Sequence, residues 1–197
     1  MTSDPRTIAV YNAKAADYAD LVQTDQPDRH LRDFMALIPA AGRVLDLGCG
    51  PGRASYFMTQ AGLKPDPLDA STSMVELAQT SYDLPARLGT FHDITGENVY
   101  AGVWANFSLL HAQRADLPVH LDAIFQSLTP GGTLHIGMKT GTGQSRDGID
   151  RRYTYVTEVE LETLLNHAGF RVNFRDTGLD KGLSGEIAPW VILRAEK

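Results

Sequence analysis

Three glycines alternate in the stretch DLGCGPGR, at Gly48, Gly50 and Gly52, and a carboxylate, Asp46, stands two residues ahead of the first. Glycine lets backbone approach a ligand because no Cβ is in the way, so the stretch reads as a cofactor loop. Its spacing is G-x-G-x-G, not the G-x-G-x-x-G that cradles a pyrophosphate on a helix N-terminus. Asp46 agrees with that reading: a carboxylate at a strand end opposes a diphosphate and attracts an ammonium or sulfonium. A second acid, Asp69, follows Gly50 by 19 residues, the interval at which an acidic side chain takes the two hydroxyls of a ribose. Each signal alone has an ordinary alternative, a turn glycine or a helix-capping Asp. Their combination favours a nucleoside cofactor. Cys49, inside the loop, fits as a small turn residue better than as a nucleophile.

The elements that must hold these residues follow from periodicity. RVLDL (43–47) is a strand, and Ala54, Phe57, Met58 and Ala61 then form one helical stripe that ends at Gly62. Leu68 and Asp69 close a second strand in which Pro65 and Pro67 withdraw backbone donors, so it is expected to be short or irregular. Ser71 caps a helix carrying Met74, Val75 and Ala78; a third strand ends near Phe91, and VWANF (103–107) is the fourth. A helix over 117–128, the strand TLHIGM, a helix opened by the T-x-x-E box of Thr157 and Glu160, and strands near 170–175 and 190–195 complete the pattern. Residues 139–152 read as a long polar loop. Two helical patterns, over 11–22 and 31–38, precede the first strand. The expectation is an α/β, Rossmann-like, seven-stranded, mostly parallel sheet with helices on both faces: one domain over 1–197, with a helical cap at 1–40 and the core at 41–197.

Lys and Arg number 18 against 24 Asp and Glu, a formal charge of −6, which disfavours a nucleic-acid backbone or an anionic membrane as partner. A small-molecule substrate is the easier expectation. One cysteine excludes an internal disulfide, and no run near 18 apolar residues or signal-peptide pattern is present, so a cytoplasmic protein is expected. No metal is expected.

VLDLGCGPGR, LDASTSMVELA and LTPGGTLHIGMK resemble successive motifs of the class I S-adenosylmethionine-dependent methyltransferases, and YNAKAADYADL resembles their N-terminal segment. The subgroup suggested is the small bacterial type that includes tellurite-resistance methyltransferases. The resemblance implies that Asp46 and the Gly48 backbone, with Cys49 and Gly50, hold the methionine end of S-adenosyl-L-methionine. It implies that Asp69, beside Ala70, holds the ribose, that Asp93 and Ile94 meet the adenine, and that Met74 packs on its face. Tyr11 and Tyr18 are nominated for the cofactor carboxylate. WANFSLLH, including Asn106 and Ser108, would line the methyl-transfer side.

Methyl transfer from a sulfonium is an in-line displacement in which the protein chiefly aligns the nucleophile and excludes water. An acceptor hydroxyl or ammonium must still lose a proton, and histidine suits that at neutral pH. His111, just past the fourth strand, is the candidate base; packing at the strand end is its ordinary alternative. His92 and His135 are weaker candidates. Tyr153 and Tyr155 could cover an acceptor pocket, with Arg151 or Arg152 clamping an anionic group. The rivals are a non-catalytic S-adenosylmethionine-binding module, a nicotinamide-dependent oxidoreductase, and a nucleic-acid methyltransferase, which lacks both a basic surface and a base-handling motif.

Overall fold

The computed structural model describes residues 4–197; residues 1–3 of the expected cap lie outside that range. Three helices come first, α1 (Pro5–Ala13), α2 (Ala15–Leu21) and α3 (Arg29–Leu37). Asp4 caps α1 by accepting the Thr7 N–H at 3.2 Å, and Pro5 occupies the first turn, where its missing N–H costs nothing. The helical pattern expected over 11–22 is interrupted at Lys14, whose backbone leaves helical geometry and divides α1 from α2.

The core then alternates: β1 (Arg43–Leu47), α4 (Arg53–Gln60), β2 (Lys64–Asp69), α5 (Thr72–Tyr82), β3 (Arg87–Leu88), β4 (Tyr100–Asn106), α6 (Leu117–Ser127) and β5 (Leu128–Lys139). A hairpin of β6 (Gln144–Arg146) and β7 (Arg152–Thr154) follows, then α7 (Glu158–His167), β8 (Arg171–Lys181) and β9 (Ile187–Glu196). The sheet runs β3-β2-β1-β4-β5-β9-β8. Pairings among β1 to β5 are parallel, and β9 is antiparallel to both β5 and β8. This is the seven-stranded, mostly parallel, Rossmann-like sheet expected from the periodicity.

Side chains of the central strands alternate between two layers. Val44 and Trp104 pack with Phe34 of α3 and Met58 of α4. Leu45, Leu47, Val103 and Ala105 face the other way, toward Leu121 and Ile124 of α6 and Leu161 and Leu165 of α7. Each such buried aliphatic side chain contributes about 1.5–3 kcal/mol of transfer free energy, which is what holds helices on both faces.

Three expectations need correction. The third strand stops at Leu88, and Phe91–Asp93 is a 3-10 turn opened by a Thr90–Asp93 capping box. The polar segment 139–152 contains a strand, β6, that pairs with β7. The prolines do not shorten β2. Lys64 donates to Gly42 at 3.0 Å and the Leu68 carbonyl accepts from Gly48 at 2.8 Å, so even-numbered positions address β1. Pro65 and Pro67 therefore present their missing donors toward β3, which pairs only with Leu68 and Asp69.

β1 lies where the chain order reverses, with β2 on one side and β4 on the other. Open α/β sheets bind ligands outside the carboxyl ends of strands at such a point.

Candidate functional site

The glycine loop leaves the end of β1 with Gly48, Gly50 and Gly52 all at positive φ, a region that L side chains rarely adopt. At Gly48 the reason is also steric: a Cβ there would lie 2.4 Å from the Ser108 Cβ, so the loop approaches the β4 end as closely as it does only as glycine. The Gly48 and Cys49 N–H groups donate to the Leu68 carbonyl at 2.8 and 3.1 Å. Asp69 accepts the Gly50 N–H at 2.8 Å on one oxygen and the Ser71 N–H at 2.8 Å on the other. A carboxylate has about four lone-pair sites, so these bonds orient Asp69 and still leave acceptor capacity facing the cleft. Burial raises its pKa, against the pull of the backbone N–H groups.

A concave cleft opens beside this loop at the carboxyl ends of the strands. It is walled by ten of the residues singled out above: Tyr11, Tyr18, Gly48, Gly50, Asp69, Ala70, Met74, Asn106, Ser108 and His111. Leu68, Met74 and Phe91 supply an apolar section, with Thr90 beside them. Ser108 Oγ is buried and has no hydrogen-bond partner among the described residues.

At the other end Tyr11 and His111 meet, with Tyr11 Oη 2.8 Å from His111 Nε2 and His111 Nδ1 2.6 Å from the Arg152 carbonyl. A carbonyl only accepts, so Nδ1 carries the proton and Nε2 accepts from the tyrosine hydroxyl. Arg151 Nη1 in turn donates to Tyr11 Oη at 2.8 Å, while its Nε and Nη2 reach Asp147 at 3.0 and 2.7 Å. Burial pushes His111 down to about 4, so it is a neutral base, and burial pushes the Tyr11 hydroxyl well above its usual value. Asp4 also lines this end. Burial would raise its pKa, but hydrogen bonds from Arg146 and Thr7 and the charge of Arg152 hold it well below the carboxylate range.

A second hollow adjoins the first and shares Tyr18, Gly48, Gly50 and Asn106 with it. Asp46, Cys49 and Arg53 line it. Asp46 is buried and accepts Ser55 Oγ at 2.6 Å; desolvation raises it to about 7. Burial likewise drives the Cys49 thiol up, so it is a poor nucleophile.

Other expected site residues lie elsewhere. Asp93 is exposed, and one carboxylate oxygen accepts the Thr90 N–H at 2.7 Å and hydroxyl at 3.0 Å. Ile94 is packed in the core. Arg151 is no anion clamp, because its guanidinium is committed to Asp147 and Tyr11. Tyr153 is buried behind His111, ring centroids 5.1 Å apart, and stacks with Tyr155. The Gly48 N–H, spent on Leu68, is not offered to a ligand. Asn106 directs its amide oxygen at His135 Nε2, 3.1 Å away, and His135 stacks on Trp104, so that histidine is structural. Phe91, Thr90, Ser71, Asp4 and Thr7 line the cleft without having been singled out. Thr90 and Phe91 stand three and two residues ahead of the expected adenine acid, and no local pattern separates them from it.

Residues 44–132 match a family model described as a methyltransferase domain. Among curated proteins, a cypemycin N-terminal methyltransferase of Streptomyces sp. is 31% identical over 159 residues, which cover 76% of this chain and 63% of that protein. The chain thus spans less than two thirds of this relative's length, and under half of the other curated relatives'. Among solved structures, Burkholderia thailandensis 1,6-didemethyltoxoflavin-N1-methyltransferase, with bound 1,6-didemethyltoxoflavin and S-adenosylhomocysteine, has a TM-score of 0.74 at 22% identity, covering 98% of this chain and 87% of that one. The [4+2]-cyclase SpnF has a TM-score of 0.70 at 15% identity, covering 100% and 98%. These relatives lend no support to the narrower tellurite-resistance resemblance. The methyltransferase-domain match covers residues 44–132, a little under half of the chain, and the fold is shared along nearly the whole chain with these solved structures.

Proposed function

We propose that this chain is a cytoplasmic, single-domain enzyme that binds S-adenosylmethionine in the cleft and transfers its methyl group to a small-molecule acceptor. The observation that carries the proposal is Asp69, oriented by the Gly50 and Ser71 N–H groups in a cleft whose Ser108 hydroxyl has no partner among the described residues. The residues fit the cofactor part by part. Asp69 takes the ribose diol, and Leu68, Met74 and Phe91 take the adenine faces. Thr90 replaces the exposed Asp93 at the ring edge. Tyr18 and Gly50 lie between the two hollows, where a methionine chain passing from the ribose brings its ammonium toward Asp46. When bound, the cofactor supplies an activated methyl on its sulfonium.

Neutral His111 serves as the proton acceptor through Tyr11. A proton leaving an acceptor amine or hydroxyl is taken up at the tyrosine oxygen as the tyrosine proton moves to Nε2, and Arg151 favours the charge passing through that oxygen. The names of two relatives specify an N-terminal and an N1 position, which favours a nitrogen acceptor. Incubation with methyl-labelled S-adenosylmethionine and fractionated cell extract is expected to put label in the small-molecule fraction. Label confined to protein or nucleic acid would refute the acceptor class.

A second reading is a cofactor-holding protein without methyl transfer. It is favoured by the full engagement of His111 and Arg151, and by the cyclase that shares the fold. S-adenosylhomocysteine binding with no transfer to any fraction would establish it.

A further inference from the structure

We infer that His92, Asp116 and His120 form a site for a divalent transition-metal ion, with zinc the best match, which ties the turn behind the Phe91 wall to the start of α6. His92 belongs to the 3-10 turn Phe91–Asp93; Asp116 is the N-cap of α6, and His120 lies one turn into that helix. Positions four apart share a helix face, so Asp116 and His120 address the same point, and the turn brings His92 to it. One ligand atom from each residue lies within 4.8 Å of the other two.

The His92 and His120 rings are 4.8 Å apart between centroids and inclined at 69°, so they converge edge to face and do not stack. His120 is 3% exposed, and its ring meets those of Phe91 and His92, with centroids 5.5 and 4.8 Å away.

The donor set selects the ion. Two imidazoles and one carboxylate suit zinc and its neighbours, whereas magnesium and calcium prefer oxygen donors. Bonds of about 2.0–2.1 Å in a tetrahedral site put ligand atoms about 3.3 Å apart. The set must therefore contract by up to roughly 1.5 Å. Asp116 is half-buried at the start of α6, so its side-chain torsions can supply part of that movement toward His120. With three protein ligands a fourth position stays open to solvent.

The consequence for the cleft is mechanical. Phe91 lines the cleft and its ring centroid lies 5.5 Å from that of His120, so an ion holding His92 to α6 also fixes the neighbouring aromatic wall.

The test uses the full chain stripped with chelator and titrated calorimetrically with Zn²⁺, with Co²⁺ as a spectroscopic probe. One saturable Zn²⁺ site per chain and a Co²⁺ visible band of tetrahedral intensity are expected. His92→Ala and Asp116→Asn should each weaken Zn²⁺ binding at least tenfold, and both variants should still melt cooperatively without metal. Absence of saturable binding, or affinities within twofold of wild type in both variants, would overturn the site. The readout needs neither S-adenosylmethionine nor activity, so it stands or falls apart from the methyltransferase proposal.

Discussion

The Tyr11 hydroxyl stands 2.8 Å from Nε2 of His111, and the carbonyl of Arg152 fixes which imidazole nitrogen receives it. The pair joins the N-terminal cap to the segment after β4, so the candidate base is assembled only when the cap is seated. Tyr11→Phe keeps a ring against Tyr18, whose centroid is 5.7 Å away, and removes only the hydroxyl. Methyl-transfer kcat should fall roughly 10²-fold or more, the scale of general acid–base catalysis, with S-adenosylhomocysteine affinity within about threefold. His111→Gln should act alike, and the double variant should be no worse than either single one, because the two residues act as one relay. Additive losses would show that they act separately.

The same pair sets a pH dependence. His111 is held down at about 4, so it remains a competent base until the pH falls to that region. The kcat profile should show no inflection near the ordinary histidine value of about 6.5. A kcat that halves near that value would contradict the buried, neutral imidazole.

Asp46 has the opposite sign. Its pKa is about 7 in the folded chain against 3.8 as the ordinary value, so its contribution to stability is fully present below the lower figure and is lost as pH rises through the upper one. About three units correspond to a loss on the order of 4 kcal/mol in the ligand-free chain. Asp46→Asn should therefore raise the melting temperature at pH 8 by several degrees while leaving it little changed at pH 4. It should also weaken S-adenosylmethionine binding at pH 8, where the carboxylate is charged. Thermal melts at the two pH values, paired with titrations, check both parts; a variant less stable at pH 8 would contradict the desolvation of Asp46.

Arg151 is a support for Tyr11, not a substrate clamp. Its side chain is 3% exposed and that of its partner Asp147 5%. Removing one member of a buried pair costs about 3–5 kcal/mol, because the other charge is left uncompensated. Arg151→Ala should show that loss in denaturant unfolding, and Arg151→Lys should recover part of it, since an ammonium lacks the fork that reaches Asp147 and Tyr11 together. Unchanged stability with a raised acceptor KM would restore the clamp.

The contrast between Asp69 and Asp93 shows what was legible in the sequence. Asp69 follows a strand and precedes a helix, and both neighbours lie within a few residues, so local pattern was enough to put it in the cleft. Asp93 was placed by resemblance alone, and a capping interaction with Thr90, equally local, turns its carboxylate outward. Arg151 was misread for a different reason: its partners lie on α1 and on the 139–152 segment, and no periodicity links Tyr11 to residues 140 positions away. The sheet was readable because its strands are apolar runs. The hairpin of β6 and β7 was not, because QSR and RYT carry no apolar alternation and pair through backbone.

The central claim is that Asp69 holds the ribose of an adenosyl cofactor. Calorimetric titration of S-adenosylhomocysteine into the wild-type chain and into Asp69→Ala tests it most directly. Two hydrogen bonds to a charged acceptor are worth about 1.5–3 kcal/mol each, so saturable binding by the wild type and at least a hundredfold weaker binding by a variant that still melts cooperatively are expected. Equal affinity in the two, or no binding by the wild type at millimolar ligand, would contradict the assignment.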